Sequence, residues 1–396
     1  MQPARRLLFA VLSWALLSCS ASPGSGPSFP PPAAQTLSAA ATLGERIFHD
    51  ESLSASGRMS CATCHSPEHA FAAPPGEGPV PIGGPALTTP GFRNAPSLKY
   101  LAANPGFFFD DEGTPTGGFD RDGRANSLAE QARRPFLAPH EMANASVADV
   151  VAKVAVAAYA DDFRAVFGGD IFASPDEAFA RVVLALQRYQ LEDAAEFAPY
   201  SSRYDKFLAG TAQLSAQELR GLALFNDPAR GNCAGCHPSA RGAAGAPPLF
   251  TDFTYDNLGV PRNTAIPANA DPDYYDLGLC GPDRTDLAAA RPDLCGAFKV
   301  PTLRNIRLTA PYFHNGRFET LRDALHFYVQ RDTRPELFYP LDAGGQPVKF
   351  DDLPAAYRAN VNTTEVPYNR HAGDVPALSD GDIEDVIAFL NTLTDE

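Results

Sequence analysis

Two five-residue stretches repeat one arrangement of reactive groups. Cys61, Cys64 and His65 form one set, and Cys233, Cys236 and His237 the other: two thiols three positions apart with a histidine directly after the second. Two thiols on one turn can add to the two vinyl groups of a haem, and the adjacent histidine then reaches iron from the same side. A redox dithiol or half of a zinc site would use the same cysteine spacing, but neither requires the histidine, twice, immediately after the pair. Two covalently attached c-type haems are therefore expected, with His65 and His237 as iron ligands. Of the seven cysteines, Cys280 and Cys295 remain as an isolated pair and Cys19 lies near the start. In an exported chain the isolated pair is expected to be a disulfide closing a short loop, a constraint of on the order of 3 kcal/mol.

Such sites need helices to hold them. Leu37, Leu43, Ile47 and Phe48 recur at near-helical spacing before the first motif, and Ser215 with Glu218 has capping-box register before the second. Near the end, Ser379 and Asp382 are placed to cap a helix whose Ile383, Val386, Ile387 and Leu390 share one face. The glycine- and proline-rich stretch 74–91 carries too many breakers for regular structure, and no strand-period alternation stands out. The fold class expected is mainly α: two cytochrome c-like domains, residues 36–205 and 206–396, each with one covalently attached haem. Residues 1–18 pair two arginines with an apolar run too short to span a bilayer, which reads as an export signal. The run ends in Leu-Leu-Ser-Cys, so Cys19 is expected to be lipidated and residues 19–35, rich in Ser, Pro and Gly, to be a tether. This places the protein in the periplasm as a membrane-tethered lipoprotein. A net charge of -15 argues against nucleic acid as a partner.

Five stretches, residues 43–71, 93–98 (RNAPSL), 122–132 (DGRANSLAEQA), 298–316 (FKVPTLRNIRLTAPYFHNG) and 383–393 (IEDVIAFLNTL), resemble the bacterial dihaem cytochrome c peroxidase superfamily, which includes the MauG and MbnH enzymes. The pattern is nearest to the MbnH type. The resemblance implies that the haem on His65 meets hydrogen peroxide, with Glu141 as the catalytic base and Gln131 and Pro135 as pocket walls. A carboxylate beside a haem is desolvated, so its pKa should rise toward the range useful for moving protons. His140 is a weaker candidate base, expected to point outward, and Met142 belongs to the pocket frame. Between His69 and His140 there is no histidine, and His69 falls on the side of His65 if the stretch is helical, so the first iron is expected to be open at rest. On the second haem the sixth ligand implied is Tyr328, with His326 about 200 degrees around a helix from it; His326 as ligand is the alternative. A phenolate stabilises oxidised iron, whereas methionine favours the reduced metal. Lys299 and His314 are implied as contacts to haem propionates, and Asn94, Thr309 and Pro311 as a calcium site built from oxygens. Where the family has a tryptophan between the haems this chain has Arg121. Its one tryptophan is Trp14, which leaves a tyrosine or direct tunnelling as the inter-haem route.

The activity implied is reaction with hydrogen peroxide to form high-valent iron that oxidises a residue of a partner protein, tryptophan to kynurenine being one such change. One alternative is a peroxidase that reduces peroxide to water with electrons from a small cytochrome or cupredoxin. The other is a dihaem electron carrier with no catalytic role.

Overall fold

The computed structural model describes residues 36–76 and 78–396. The expected signal, the lipidation site Cys19, the tether and Trp14 lie outside the described residues. Within them the chain is mainly helical, with three antiparallel strand pairs of two residues each. One pair, Ile82–Gly83 with Thr89–Pro90, falls in the stretch expected to lack regular structure. Positive φ at Gly84 and Leu87 reverses the chain there, and so short a ladder tolerates its proline at the edge. No helix among the described residues is long and apolar enough to cross a membrane.

The expected helices form, the two with expected caps starting at them, while the first begins after Leu37, one of the residues expected in its stripe. Ser38 accepts from the Ala41 amide to open Ala39–Phe48, and Ser215 and Ser379 form capping boxes at Ala216–Asn226 and Asp380–Asn391. Two helix crossings repeat one device. Ala39–Phe48 crosses Pro175–Glu192 at Gly44, where a Cβ would sit 2.0 Å from the Ala185 carbonyl oxygen. Ala216–Asn226 crosses Asp380–Asn391 at Gly221, where a Cβ would sit 1.9 Å from the Asp385 oxygen. A glycine in mid-helix costs stability on its own, and here it admits a neighbouring backbone. Each crossing lies just upstream of a Cys-x-x-Cys-His motif.

Buried side chains sort into two large clusters. Leu43, Ile47, Phe136, Phe163, Phe179 and Phe197 belong to the first, while Phe225, Phe250, Ile383, Val386, Phe389 and Leu390 belong to the second. The helix Arg203–Leu208 runs across position 205, and its Tyr204 packs in the second cluster. Buried ion pairs join the halves: Arg304 grips both oxygens of Asp205 at 2.8 Å, and Arg93 sits between Asp122 at 2.7 Å and Asp276 at 2.6 Å. Cys280 and Cys295 form a disulfide.

Candidate active site

Both Cys-x-x-Cys-His motifs open onto one cavity of about 460 Å³, with walls from both halves of the chain. Cys61–Cys64 forms a single helical turn, fixed where the Ser60 amide donates to Thr63 Oγ1 at 3.0 Å. His65 Nδ1 lies 3.0 Å from the carbonyl oxygens of Phe71 and Pro96, and His237 Nδ1 lies 2.8 Å from that of Phe250. A carbonyl can only accept, so each Nδ1 carries the proton and each Nε2 is left with a free lone pair. Burial lowers the pKa of both rings, which keeps them neutral as an iron ligand must be. Burial also pushes the Cys61, Cys233 and Cys236 thiols up to about 12, the reverse of what a redox dithiol needs. The apolar walls (Phe48, Met59 and Leu98 around the first motif, Phe225, Leu325 and Val386 around the second) suit a porphyrin face. Cysteines, neutral imidazoles and an apolar cavity thus fit a haem at each motif.

Glu141 lines the cavity on the first side, and its Oε2 is buried without a hydrogen-bond partner. Burial raises its pKa to about 7, against the lowering effect of Arg134 and with a further push from Asp120. Gln131 and Pro135 stand in the same wall; Gln131 Nε2 donates to Asp120 Oδ1 at 3.3 Å, and the Pro135 carbonyl accepts from the Met142 amide at 3.0 Å. Met142 is buried. His140 departs from the outward orientation expected: it lines the cavity, with its ring 5.3 Å from that of Phe92. The cause is the strand pair above. Gly84 N donates to the Glu141 carbonyl at 2.9 Å, and a Cβ on Gly83 would lie 2.4 Å from the His140 oxygen, so the pair clamps this turn against the cavity. His69 is not in the lining, and its Nδ1 meets Ser66 Oγ at 3.0 Å.

On the second side Tyr328, on the helix Leu321–Gln330, lines the cavity with its ring 5.5 Å from Phe313 and 6.1 Å from Tyr368. Burial drives its hydroxyl pKa up in the protein alone. His326 occupies another face of the same helix, outside the cavity lining, with Nε2 3.8 Å from Asp380.

Comparison with known proteins gives this arrangement its family. Residues 38–213 match the model of the di-haem cytochrome c peroxidase family. The methylamine utilization protein MauG of Paracoccus denitrificans is 36% identical over 371 residues, covering 90% of this chain and 89% of MauG. The chain belongs to the di-haem cytochrome c peroxidase family. Among solved structures, the diheme peroxidase BthA of Burkholderia thailandensis superposes with a TM-score of 0.82 at 41% identity, over 95% of this chain and 89% of BthA. A MauG-like protein associated with microbial copper homeostasis is more distant, with a TM-score of 0.63 at 28% identity over 95% of both chains. Membership makes this chain an oxidoreductase acting on hydrogen peroxide, with two c-type haems implied, and it sets aside the non-enzymatic carrier.

Other residues of this dihaem enzyme line the same cavity. Lys299 donates to the Gly118 carbonyl, and burial lowers its pKa to about 8. His314 stacks on Phe298 at 3.7 Å; its Nε2 is buried without a partner, and burial with Arg93 and Arg121 nearby holds it well below the usual histidine range. Arg121 donates from Nε to the Asn94 carbonyl at 2.9 Å, and burial lowers its pKa to about 10. Arg121, at the position of the family's tryptophan, puts a cation in this wall that is suited to a haem carboxylate. Asn94, Thr309 and Pro311 also lie together: Asn94 Nδ2 donates to the Pro311 carbonyl, and Asn94 Oδ1 is buried without a partner. Among the described residues no group of three or more His, Cys, Asp or Glu could hold a metal, so any cation here would rest on neutral oxygens.

Proposed function

We propose that this enzyme reduces hydrogen peroxide to water at a haem held by Cys61, Cys64 and His65. Cys233, Cys236, His237 and Tyr328 would hold a second haem as a store for an oxidising equivalent, with a small redox protein as the source of the returning electrons. The observation that carries the proposal is Glu141, a carboxyl with a partnerless buried oxygen and a pKa of about 7, in the same cavity wall as the His65 site. The haems, when bound, supply the redox chemistry, breaking the peroxide O–O bond and holding two oxidising equivalents. Glu141 Oε2 takes the proton from the inner peroxide oxygen and returns it to the outer one, which leaves as water. Arg134, paired with Asp283, and Asp120, held by Gln131, set the charge around that carboxyl, the first lowering and the second raising its pKa. His69 is turned to Ser66 and lies outside the cavity lining, which supports a first haem site left open to peroxide. Tyr328 as a phenolate favours oxidised iron, and calcium on Asn94 Oδ1 with the Thr309 and Pro311 oxygens would fix the seam beside both haems. The domains are assigned to residues 36–205 and 206–396, and the enzyme to the periplasm on a lipid anchor at Cys19.

A second reading has the oxidising equivalents spent on a residue of a partner protein, as in the expected conversion of tryptophan to kynurenine. Tyr328 and the 36% identity to MauG favour it, whereas the 41% identity to the diheme peroxidase BthA favours turnover of peroxide. The test is rapid mixing of the fully ferric dihaem protein with about one equivalent of peroxide and no reductant. A prompt haem response is expected, and a response only after one haem is pre-reduced would refute the open first site. Catalytic oxidation of a reduced small cytochrome or cupredoxin then supports the first reading. A stable covalent change in a partner, seen by mass spectrometry, would replace it with the second.

A further inference from the structure

Four tyrosines line the haem cavity: Tyr100, Tyr312, Tyr328 and Tyr368. Removing an electron from a phenol makes its proton strongly acidic, so a tyrosine that is oxidised and restored needs a base beside its oxygen. Tyr312 donates to the Ile306 carbonyl at 3.1 Å, and a carbonyl cannot keep a proton. Tyr100 is the one whose hydroxyl meets a carboxylate. It donates to Asp395, with both oxygens at 2.7 Å, and the ring is 4% exposed.

The position of this pair is as particular as its chemistry. The Tyr100 amide donates to the Phe197 carbonyl at 2.7 Å, and the Phe197 ring lies 4.4 Å from Phe71, whose carbonyl accepts the His65 Nδ1–H hydrogen bond. On the other side, the Arg304 guanidinium lies 4.8 Å from the Tyr100 ring and 6.0 Å from that of Phe250, whose carbonyl accepts the His237 Nδ1–H hydrogen bond. Tyr100 therefore sits where the supports of both proximal histidines meet. Arg304 is held by both oxygens of Asp205, so its charge is matched and does not stand alone against a hole on the ring. Asp395 is fixed by Asn305 Nδ2 at 2.6 Å and the Ser201 amide at 3.3 Å, from opposite sides of the seam. Half-buried Tyr200 stacks edge-on against Tyr100 with centroids 4.9 Å apart, and its amide donates to the Tyr100 hydroxyl at 3.3 Å.

We propose that Tyr100, with Asp395 as its proton acceptor, is a redox relay between the haem cavity and the surface. In the outward step Tyr100 gives one electron to the oxidised haem site while its O–H bond breaks and the proton passes to an Asp395 oxygen, leaving a neutral phenoxyl radical. In the return step one electron from the reducing partner and the proton from Asp395 restore the phenol. The relay rests on the proposed peroxide reaction, which supplies the oxidant.

The experiment is freeze-quench electron paramagnetic resonance of the dihaem protein after mixing with about one equivalent of hydrogen peroxide, with the optical haem response recorded in parallel. Wild type should show a tyrosyl radical. Tyr100→Phe should lose it while the haem response persists. Asp395→Asn, which keeps an oxygen acceptor but no base, should lose it too, and unchanged resting haem spectra in both variants show that folding is intact. A wild-type haem response without a tyrosyl signal, or a signal that survives in Tyr100→Phe, overturns the relay. Absence of any haem response overturns the peroxide reaction, and the relay with it.

Discussion

Replacing Glu141 by glutamine tests the proton transfer most directly, because it keeps the shape of the side chain and removes only its ability to take a proton. General acid–base catalysis by one positioned group contributes typically 10²–10⁴-fold, which at about 1.4 kcal/mol per decade is roughly 3–5 kcal/mol of barrier. The second-order rate of the haem response to peroxide should fall by that factor. The pH profile carries a separate signature. Burial holds Glu141 at about 7, so the base form is the minority below that value. The wild-type rate should therefore climb about tenfold per pH unit below the pKa and level off above it. In Glu141→Gln the limb should vanish. The competing base is His140, also in the cavity wall, whose pKa burial lowers from 6.5. Stopped-flow measurements across this range on Glu141→Gln and His140→Ala decide between them. A limb that persists in Glu141→Gln and disappears in His140→Ala would refute the assignment.

Three further perturbations test the rest of the framework. Tyr328→Phe should change the spectrum of the second haem and raise its potential by on the order of 100 mV, whereas His326→Ala, on the face turned to Asp380, should alter neither; spectroelectrochemistry of the two variants checks this. Gly221→Ala forces a Cβ to within 1.9 Å of the Asp385 carbonyl, so the helices must part. Overpacking of this kind costs about 1–3 kcal/mol, read as a lower denaturant midpoint at unchanged m. Asp205→Asn leaves Arg304 buried without its counter-charge, a change that typically costs about 3–5 kcal/mol and should appear as a lower thermal midpoint of the holoenzyme.

What was legible in the sequence is what local chemistry dictates. Thiols and histidine must be neighbours to hold one haem, so both motifs could be read directly. Caps are four-residue events, so Ser215 with Glu218 and Ser379 with Asp382 announced their helices. Helical phase separated Tyr328 from His326, because both lie within Leu321–Gln330. His140 lies in a turn without periodic phase, and its direction is set by a strand pair more than fifty residues earlier. Tyr100 with Asp395 and Arg134 with Asp283 join residues 295 and 149 positions apart, with no local pattern to betray either pairing. Gly44 and Gly221 did leave a trace, since a glycine inside an otherwise apolar helix calls for a packing reason.

The pocket around Glu141 is completed from outside its own half. Arg134, in the wall that Glu141 also lines, is paired with Asp283, which stands on the loop closed by Cys280 and Cys295. Arg124 approaches the same carboxylate at 3.4 Å. Asp283 acts on Glu141 in two ways of the same sign: its own negative charge raises the Glu141 pKa, and it offsets Arg134, which lowers it. Asp283→Asn removes the first effect and uncovers the second. The carboxylate form of Glu141 is then favoured, and the pH limb of the peroxide reaction should move below about 7 with its slope unchanged. Opening the loop by Cys280→Ser with Cys295→Ser should move the limb the same way, by loosening Asp283 from Arg134. A limb that stays in place in Asp283→Asn, or moves upward, would show that the second half of the chain does not tune the base of the first.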